Sequence, residues 1–298
     1  MEFITLDGVR LELRHIAAAP DHQRHPPRAP IVFLHEGLGS VAQWHQREGY
    51  WPELLCAATG RTGIIYSRRG YGQSDAVPSV RGPSAVVNGQ RQGRLLPDYL
   101  HHEAWEVLPA LLKALGIQRP VLLGHSDGAS IALLHASRFP VEACLVLAPH
   151  VLVEELSIAS ITKARDAYLH TANDANGLRA KLARHHADVD CAFWQWNDVW
   201  LSHAFRSFDI RADCARITAP VLAIQGYDDP YGTMEQMDAI ANALQPTILN
   251  KNIAEPAWNG AIVLQKLEQC GHAPQRDQCA LTTQLINEFL QTLSDHSP

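Results

Sequence analysis

Residues 121–138 place the strongest constraint on how this chain can fold. A short apolar run leads into Gly-His-Ser-Asp-Gly at 124–128, and a helix-like segment follows at once. A G-x-S-x-G turn between a strand and a helix exposes its serine hydroxyl above a sheet. Gly124 and Gly128 suit such a turn, because side chains there would collide with the neighbouring strand or helix. The segment predicts Ser126 as a nucleophile, with an ordinary turn as the alternative.

Short apolar runs alternate with helical periodicity along most of the chain. We predict strands at 3–6, 9–16, 31–35, 62–66, 121–124, 144–148, 221–225 and 262–267. We predict helices at 51–59, 98–115, 129–138, 234–244 and 280–293. Within the second helix, Pro109 should cause a kink or a split. Strands that alternate with helices imply an α/β fold with a parallel sheet covered on both faces.

Three segments depart from this alternation. Residues 19–30 are predicted to form a surface loop, and 78–97 a long loop or mobile excursion. Residues 150–212 have helical stretches but no clear strand, so they are predicted to form a helical cap inserted into a core of 1–149 and 213–298. The cap is rich in aromatic residues, which either line an apolar pocket or pack the cap onto the core. The pocket candidates are Trp194, Trp196 and Trp200.

Composition excludes several classes of function. The 298 residues are 46% hydrophobic with a net charge of −6, and no basic stripe suits nucleic acid. No apolar run approaches the ~20 residues of a membrane span, and the N-terminus lacks signal-peptide character, so a cytoplasmic protein is expected. The six cysteines lack paired short spacing and metal signatures are missing, so no metal or cofactor is expected. The expected partner is a small-molecule substrate; the oligomeric state stays open, with a homodimer as one alternative.

A nucleophilic serine needs a base, an acid that orients the base, and donors for an oxyanion. Asp228 and Asp229 follow an apolar strand, and either could be the acid, although both could simply cap the turn before Pro230. His272 comes after the last strand, which gives the order serine, acid, histidine. The expected oxyanion donors are the backbone N–H groups of Asp127 and Gly37, with Leu38 in reserve.

Five segments in this order resemble the α/β-hydrolase fold family. They are His-Glu-Gly-Leu-Gly-Ser at 35–40, Arg-Gly-Tyr-Gly-Gln-Ser at 69–74, the serine turn at 124–128, Gly-Tyr-Asp-Asp at 226–229 and Gly-His at 271–272. The resemblance covers nearly the whole chain. It implies an eight-stranded, mostly parallel sheet with helices on both faces, and a helical cap. It also implies Asp229 as the acid, because the family has its acid three residues after this glycine.

The resemblance implies a serine hydrolase that acts on a small apolar or aromatic carboxylic ester, or a lactone, through an acyl-enzyme. Relatives that hydrolyse carbon–carbon bonds usually read Gly-Asn-Ser-Met-Gly and have Trp after the histidine. Here His125 and Asp127 flank the serine, and Ala273 follows the histidine, which disfavours that reaction. Carbon–carbon bond hydrolysis of ring-fission products, perhydrolysis and a non-catalytic ligand-binding relative remain as alternatives.

One position departs from the family pattern in the predicted oxyanion loop. The family usually reads His-Gly there, but Glu36 takes the glycine position. A carboxylate beside a developing oxyanion is unfavourable, because the two negative charges repel. We therefore expect the Glu36 side chain to point away and to pair with Arg68 or Arg69.

Overall fold

The computed structural model describes residues 2–18, 28–249 and 262–295, so the predicted loop at 19–30 falls mostly outside it. The strands, in chain order, are β1 (Glu2–Leu6), β2 (Val9–Ile16), β3 (Ile31–Leu34), β4 (His45–Gln46), β5 (Gly49–Tyr50), β6 (Gly63–Tyr66), β7 (Ala85–Val87), β8 (Gln90–Gln92), β9 (Val121–His125), β10 (Ala143–Leu147), β11 (Val221–Gly226) and β12 (Ile262–Leu267). Eight of them form one sheet in the order β1-β2-β6-β3-β9-β10-β11-β12. Within this sheet, β2 runs opposite to the other seven strands, which are parallel to one another. The predicted eight-stranded, mostly parallel sheet is confirmed.

Helices cover both faces of the sheet. They are α1 (Trp51–Thr59), α2 (Tyr99–His102), α3 (Leu108–Ala114), α4 (Asp127–Ala136), α5 (Glu155–His170), α6 (Leu178–Leu182), α7 (Val189–Trp200), α8 (Arg211–Cys214), α9 (Glu235–Leu249), α10 (Pro274–Asp277) and α11 (Cys279–Asp295). Val121 and Leu123 point into the core under α1 and α11, whereas Leu122 between them points into the core under α4. Successive strand residues face opposite sides. The central strands are therefore apolar throughout because both of their faces are buried.

The helix predicted over 98–115 is divided ahead of Pro109, as expected. A π-helical segment, Glu103–Val107, separates α2 from α3, and α3 begins with Leu108 and Pro109. Proline has no N–H for the carbonyl of the preceding turn, and its ring crowds that turn, so a wider winding accommodates it.

The segment 78–97 contains secondary structure that the sequence analysis did not predict. Strands β7 and β8 pair in an antiparallel hairpin, with Asn88 and Gly89 at its turn. Both turn residues have positive φ, 51° and 76°. Asn-Gly favours such two-residue turns, because Asn and Gly tolerate the left-handed conformation that they require. The prediction of a loop is therefore wrong for this part of the segment.

Helices α5, α6 and α7 and a 3-10 turn at Ala204–Ser207 lie between β10 and β11, in the predicted cap. Helix α8 crosses its predicted boundary at 212, and the division into cap and core stays a prediction. The aromatic side chains of α7 belong to the same buried cluster as Val146 of the sheet. Within the described residues, no helix combines the length and apolar character needed to cross a bilayer.

Candidate active site

Ser126 occupies a strained turn between β9 and α4. Its φ of 54° and ψ of −117° are unusual for a residue with a side chain. A Cβ atom on Gly124 would overlap the carbonyl of Gly128, and a Cβ atom on Gly128 would overlap the carbonyl of Leu34. The two glycines therefore allow α4 to pack closely on β9 and β3 while the serine side chain leaves the turn.

Hydrogen bonds join Ser126 to the predicted base and acid. The Oγ atom of Ser126 lies 2.9 Å from Nε2 of His272, and Nδ1 of His272 lies 2.9 Å from each carboxylate oxygen of Asp229. A carboxylate can only accept, so Nδ1 of His272 carries a proton and Nε2 can accept the serine hydroxyl. Asp228 is exposed and does not take part in these hydrogen bonds. Of the two candidate acids, the structure brings Asp229 to the histidine.

The surroundings of Asp229 favour its ionised form. Burial alone would raise its pKa, but the hydrogen bond from His272 and the electrostatic attraction of that ring lower it below the ordinary value. The backbone N–H of Tyr231 also donates to Oδ1 at 2.8 Å. The carboxylate is therefore both charged and held in a fixed orientation toward the imidazole.

His125, the residue before the serine, fixes the loop that carries His272. Its Nε2 donates to the backbone carbonyl of His272 at 2.6 Å, and its Nδ1 accepts from the Gln275 amide at 3.1 Å. Burial lowers the pKa of His125, which favours the neutral ring that this pair of bonds requires. The sequence analysis used His125 only as a departure from other families and missed this positioning contact.

The carbonyl of Glu36 anchors the predicted oxyanion loop. It accepts from Nδ1 of His35 at 2.7 Å, from the Arg68 guanidinium at 2.8 Å and from the N–H of Gly39 at 3.1 Å. In the part of the chain that the structure describes, no protein acceptor is recorded for the N–H groups of Gly37 and Leu38. These groups are therefore available to a ligand.

The expected pairing of the Glu36 carboxylate with Arg68 or Arg69 is wrong. Arg68 binds the carbonyl of Glu36 instead, and Arg69 donates to the carbonyl of Ala76. The Glu36 carboxylate lies 3.8 Å from Nδ1 of His125, and 35% of the side chain is exposed. Arg68 thus holds the backbone of Glu36, while the Glu36 carboxylate lies next to His125.

The Asp127 side chain has a structural role that the sequence did not reveal. Its carboxylate is 1% exposed and accepts from the Tyr99 hydroxyl at 2.6 Å and from Nε1 of Trp200 at 3.2 Å. An Arg68 nitrogen lies 3.6 Å away. These partners compensate part of the cost of burying a carboxylate. Its backbone N–H is at the first position of α4, where helix N–H groups have no partner within the helix.

The three tryptophans of α7 face different surroundings. Trp196 packs against Gly37, since a Cβ atom on that glycine would overlap the indole, and Trp200 reaches Asp127. Trp194 instead contacts Phe193 and lies under the Arg81 guanidinium, 3.7 Å from its ring centre. Residues 194 and 196 are about 200° apart on a helix, so they point to nearly opposite sides. The structure brings Trp196 and Trp200, but not Trp194, to the Ser126 region.

A second contact attaches the predicted cap to the oxyanion loop. The backbone N–H of Gly72 donates to Nδ1 of His186 at 2.9 Å, and Nε2 of that ring donates to the carbonyl of Leu38 at 2.9 Å. Burial lowers the pKa of His186 to about 4, so the ring is neutral and can make both bonds. His186 and Trp200 therefore attach the predicted cap at two separate points beside the serine.

One group of described side chains could hold a metal ion. Glu36, His125 and His272 each offer one ligand atom, all within 4.8 Å of one another. Both nitrogens of His125 and both of His272 already have hydrogen-bond partners. A metal would have to displace some of these bonds. The expectation of no metal and no cofactor stays a prediction.

The sheet topology and the strained serine turn define the α/β-hydrolase fold, and comparison with known proteins agrees. The sequence matches the alpha/beta hydrolase family over residues 31–283, and the chain belongs to this family. It is 30% identical over 279 residues to "Putative carbamate hydrolase RutD" of Pseudomonas savastanoi pv. phaseolicola, with 85% of this chain and 90% of that protein covered.

Two solved structures share the fold over nearly the full length. The enol-lactonase from Burkholderia xenovorans LB400 is 18% identical, with a TM-score of 0.64 and coverage of 97% of this chain and 100% of that one. Est816, an N-acyl homoserine lactone degrading enzyme, is 20% identical, with a TM-score of 0.63 and the same coverage. These TM-scores establish a common fold. At such low identities the likeness does not extend to the substrate, which depends on the residues of the site.

Proposed function

We propose that the protein is a serine hydrolase that cleaves small apolar or aromatic carboxylic esters or lactones through an acyl-enzyme. The main support for this proposal is the chain of hydrogen bonds from Ser126 through His272 to Asp229. It supplies an oxygen nucleophile, a base with an available nitrogen, and a carboxylate that orients the base. The unpaired N–H groups of the neighbouring loop support the same chemistry.

In the proposed reaction, Nε2 of His272 removes the proton from Ser126 as Oγ attacks the substrate carbonyl. The N–H groups of Asp127 and Gly37 stabilise the resulting oxyanion, and Asp229 stabilises the imidazolium. The imidazolium then donates its proton to the leaving alcohol, which departs and leaves an acyl group on the serine. Water activated by the same histidine attacks this ester and releases the acid and the free serine.

The side chains around the serine favour a small substrate with apolar groups. The indole of Trp196 lies beside Gly37, and the ring of Tyr231 lies 4.7 Å from that of His272. Aromatic walls with few polar groups are typical of sites that bind small apolar ligands. The Glu36 carboxylate adds a negative charge next to this region.

A substrate panel tests the proposal directly. Turnover of p-nitrophenyl esters, lactones and vinylogous diketones should be compared at equal enzyme concentration, and we expect esters or lactones to give the highest kcat/KM. A preference for the diketones would instead establish carbon–carbon bond hydrolysis. Peracid formation from an ester and hydrogen peroxide reports perhydrolysis with the same residues.

Carbamate hydrolysis is a second candidate function. It is favoured by the relatives named RutD, two of which are 30% and 28% identical to this chain over 85% and 89% of its length. A carbamate carbonyl can be attacked by the same serine, but the imidazolium must then protonate a leaving amine or alcohol. Ammonia or amine release from small carbamates should be measured beside ester turnover. A higher kcat/KM for carbamates would replace the ester proposal.

Substitution of Gly37 by Ala is expected to lower kcat/KM for esters by about 10²–10³-fold, the cost of losing one oxyanion donor. The added Cβ atom would overlap the Trp196 indole and displace the loop. Initial rates with a p-nitrophenyl ester provide the measurement. The combined variant Gly37→Ala with Trp196→Ala removes the overlapping ring and should recover part of the loss, beyond the additive expectation. Strictly additive effects would contradict the steric explanation.

Substitution of Glu36 by Gln is expected to change the selectivity for charged substrates. The variant should raise kcat/KM for a carboxylate-bearing ester, relative to a neutral ester of equal size, by about 3–10-fold, because it removes repulsion between like charges. Paired kinetics at low ionic strength measure this ratio. The matched control is Glu288→Gln, at an exposed position of α11. An equal ratio in all three proteins would show that Glu36 does not select by charge.

A further inference from the structure

A large cavity lies away from the serine. It has a volume of about 1160 Å³ and lies between the hairpin of β1 and β2, the hairpin of β7 and β8, and the helical segment that begins with α2. Ser126, Asp229 and His272 are not among the described residues that line it. The proposed hydrolysis therefore does not account for this cavity.

Two arginines in the cavity wall have no acidic partner. Among the described residues, no carboxylate oxygen lies within 4.0 Å of the Arg69 or Arg91 guanidinium. The Arg91 guanidinium donates to the Gln195 side-chain oxygen at 2.9 Å, and the Gln195 amide donates to the carbonyl of Arg69 at 3.2 Å. Burial and the charge of Arg69 lower the pKa of Arg91 to about 10, although tyrosine, cysteine and glutamate neighbours oppose this shift. Two such cations in a partly buried wall favour the binding of an anion.

An unused donor lies beside these arginines. The Tyr71 side chain lines the cavity and is only 3% exposed, yet its hydroxyl has no hydrogen-bond partner. The Nε atom of Arg69 is also buried without a partner. Buried polar groups are normally hydrogen-bonded, so two unpaired donors in one cavity wall indicate a missing acceptor.

The other charged groups of the cavity are paired or lie at its rim. Arg68 approaches Asp127, and Glu103 accepts from the Tyr66 hydroxyl at 2.8 Å. Asp7, Asp98 and Glu106 are exposed. The unpaired positive charge is therefore concentrated at Arg69 and Arg91.

The rest of the wall is largely apolar. Leucine and valine side chains line it from β1, β2 and the segment before α2, namely Leu6, Val9, Leu11, Leu95 and Leu96. We propose that this cavity binds an organic carboxylate with an apolar body, whose carboxylate accepts hydrogen bonds from Arg69, Arg91 and Tyr71. The apolar part of the ligand then lies against the leucines.

A ligand at this site is connected to the serine region through α7. Gln195, which holds Arg91, directly precedes Trp196, which packs against Gly37. A carboxylate that fixes Arg91 therefore also restrains the helix that covers the oxyanion loop. The site is proposed on its own contacts, and it does not depend on the reaction that Ser126 performs.

Calorimetric titration with phenylacetate, and with inorganic phosphate as an anion without an apolar body, tests this inference. The proteins compared are wild type, Arg91→Gln, Tyr71→Phe and, as matched control, Arg94→Gln, whose arginine is exposed and paired with Asp198 at 3.6 Å. We expect saturable phenylacetate binding, weakened about tenfold or more by Arg91→Gln, because a charge-assisted hydrogen bond is lost. Tyr71→Phe should weaken binding by about 3–10-fold, and the control should leave it unchanged.

The outcomes separate the alternatives. Equal phenylacetate affinity in wild type, Arg91→Gln and Tyr71→Phe would place any bound acid elsewhere, including beside Ser126, and would overturn the inference. Phosphate binding as tight as that of phenylacetate would overturn the assignment of an organic ligand. If Arg91→Gln fails to fold, the phenylacetate affinity of Tyr71→Phe still tests the site, because this variant removes only the unpaired hydroxyl.

Discussion

Replacement of Ser126 by Ala is expected to reduce kcat for ester hydrolysis by about 10³-fold or more, with a much smaller change in KM. The substitution removes the proposed attacking oxygen, whereas the proposed oxyanion donors and the aromatic side chains near them remain. The measurement is single-substrate kinetics with the ester that the panel selects. Any residual rate should come from binding and oxyanion stabilisation alone.

A fluorophosphonate probe provides a second measurement of the same prediction. Intact mass spectrometry should show one added phosphonyl group on the wild-type protein and none on Ser126→Ala. Ser207→Ala is the matched control, because this exposed serine lies in the predicted cap and hydrogen-bonds only locally. Near-normal ester turnover by Ser126→Ala would refute the nucleophile. Absence of labelling in the folded wild type would favour a non-catalytic binding protein.

Substitution of Asp229 by Asn is expected to lower kcat/KM by about 10³–10⁴-fold, because an amide can hold the neighbouring histidine in the wrong tautomer. The introduced amide can donate to Nδ1 of His272, so the ring proton then lies on Nε2. In that tautomer Nε2 cannot accept the Ser126 hydroxyl. Steady-state kinetics with the same ester measure the loss.

The adjacent aspartate supplies an unusually close control. Asp228→Asn removes the same charge one residue away, but Asp228 is exposed, and the histidine bonds to the carboxylate of Asp229 instead. Its kcat/KM should remain within about twofold of wild type, since substitutions on the surface away from the site have small effects. The reverse pattern, with Asp228→Asn inactive and Asp229→Asn active, would assign the acid to Asp228.

Local sequence pattern was sufficient to predict the sheet and the placement of the serine. Apolar runs such as 121–124 indicate strands because both faces of the sheet are covered. The glycines at 124 and 128 indicate close packing that only glycine allows. The order of Ser126, an acid and His272 followed from their positions after predicted strands, and the choice of Asp229 over Asp228 followed from the family resemblance. Their assigned roles stay predictions, although the structure brings all three within hydrogen-bond distance.

Contacts between distant residues could not be predicted in the same way. Asp127 bonds to Tyr99 and Trp200, which are 28 and 73 residues away in the sequence. A local sequence pattern does not predict which distant donors will lie next to a buried carboxylate. The direction of the Glu36 side chain depends on the bond between Arg68 and its carbonyl. The hairpin within 78–97 is different, since the dipeptide Asn88-Gly89 was a readable signal for its turn.

The contacts between the predicted cap and the segments around Ser126 make a separation of the two costly. Lifting the predicted cap would break the buried bond between Trp200 and Asp127 and both bonds of His186. It would also leave the Asp127 carboxylate without one of its hydrogen-bond donors. The side chains of Glu36 and Tyr231 are partly exposed, and their movement breaks none of these bonds. We therefore expect a substrate of the proposed reaction to reach Ser126 past these two side chains, with the predicted cap in place.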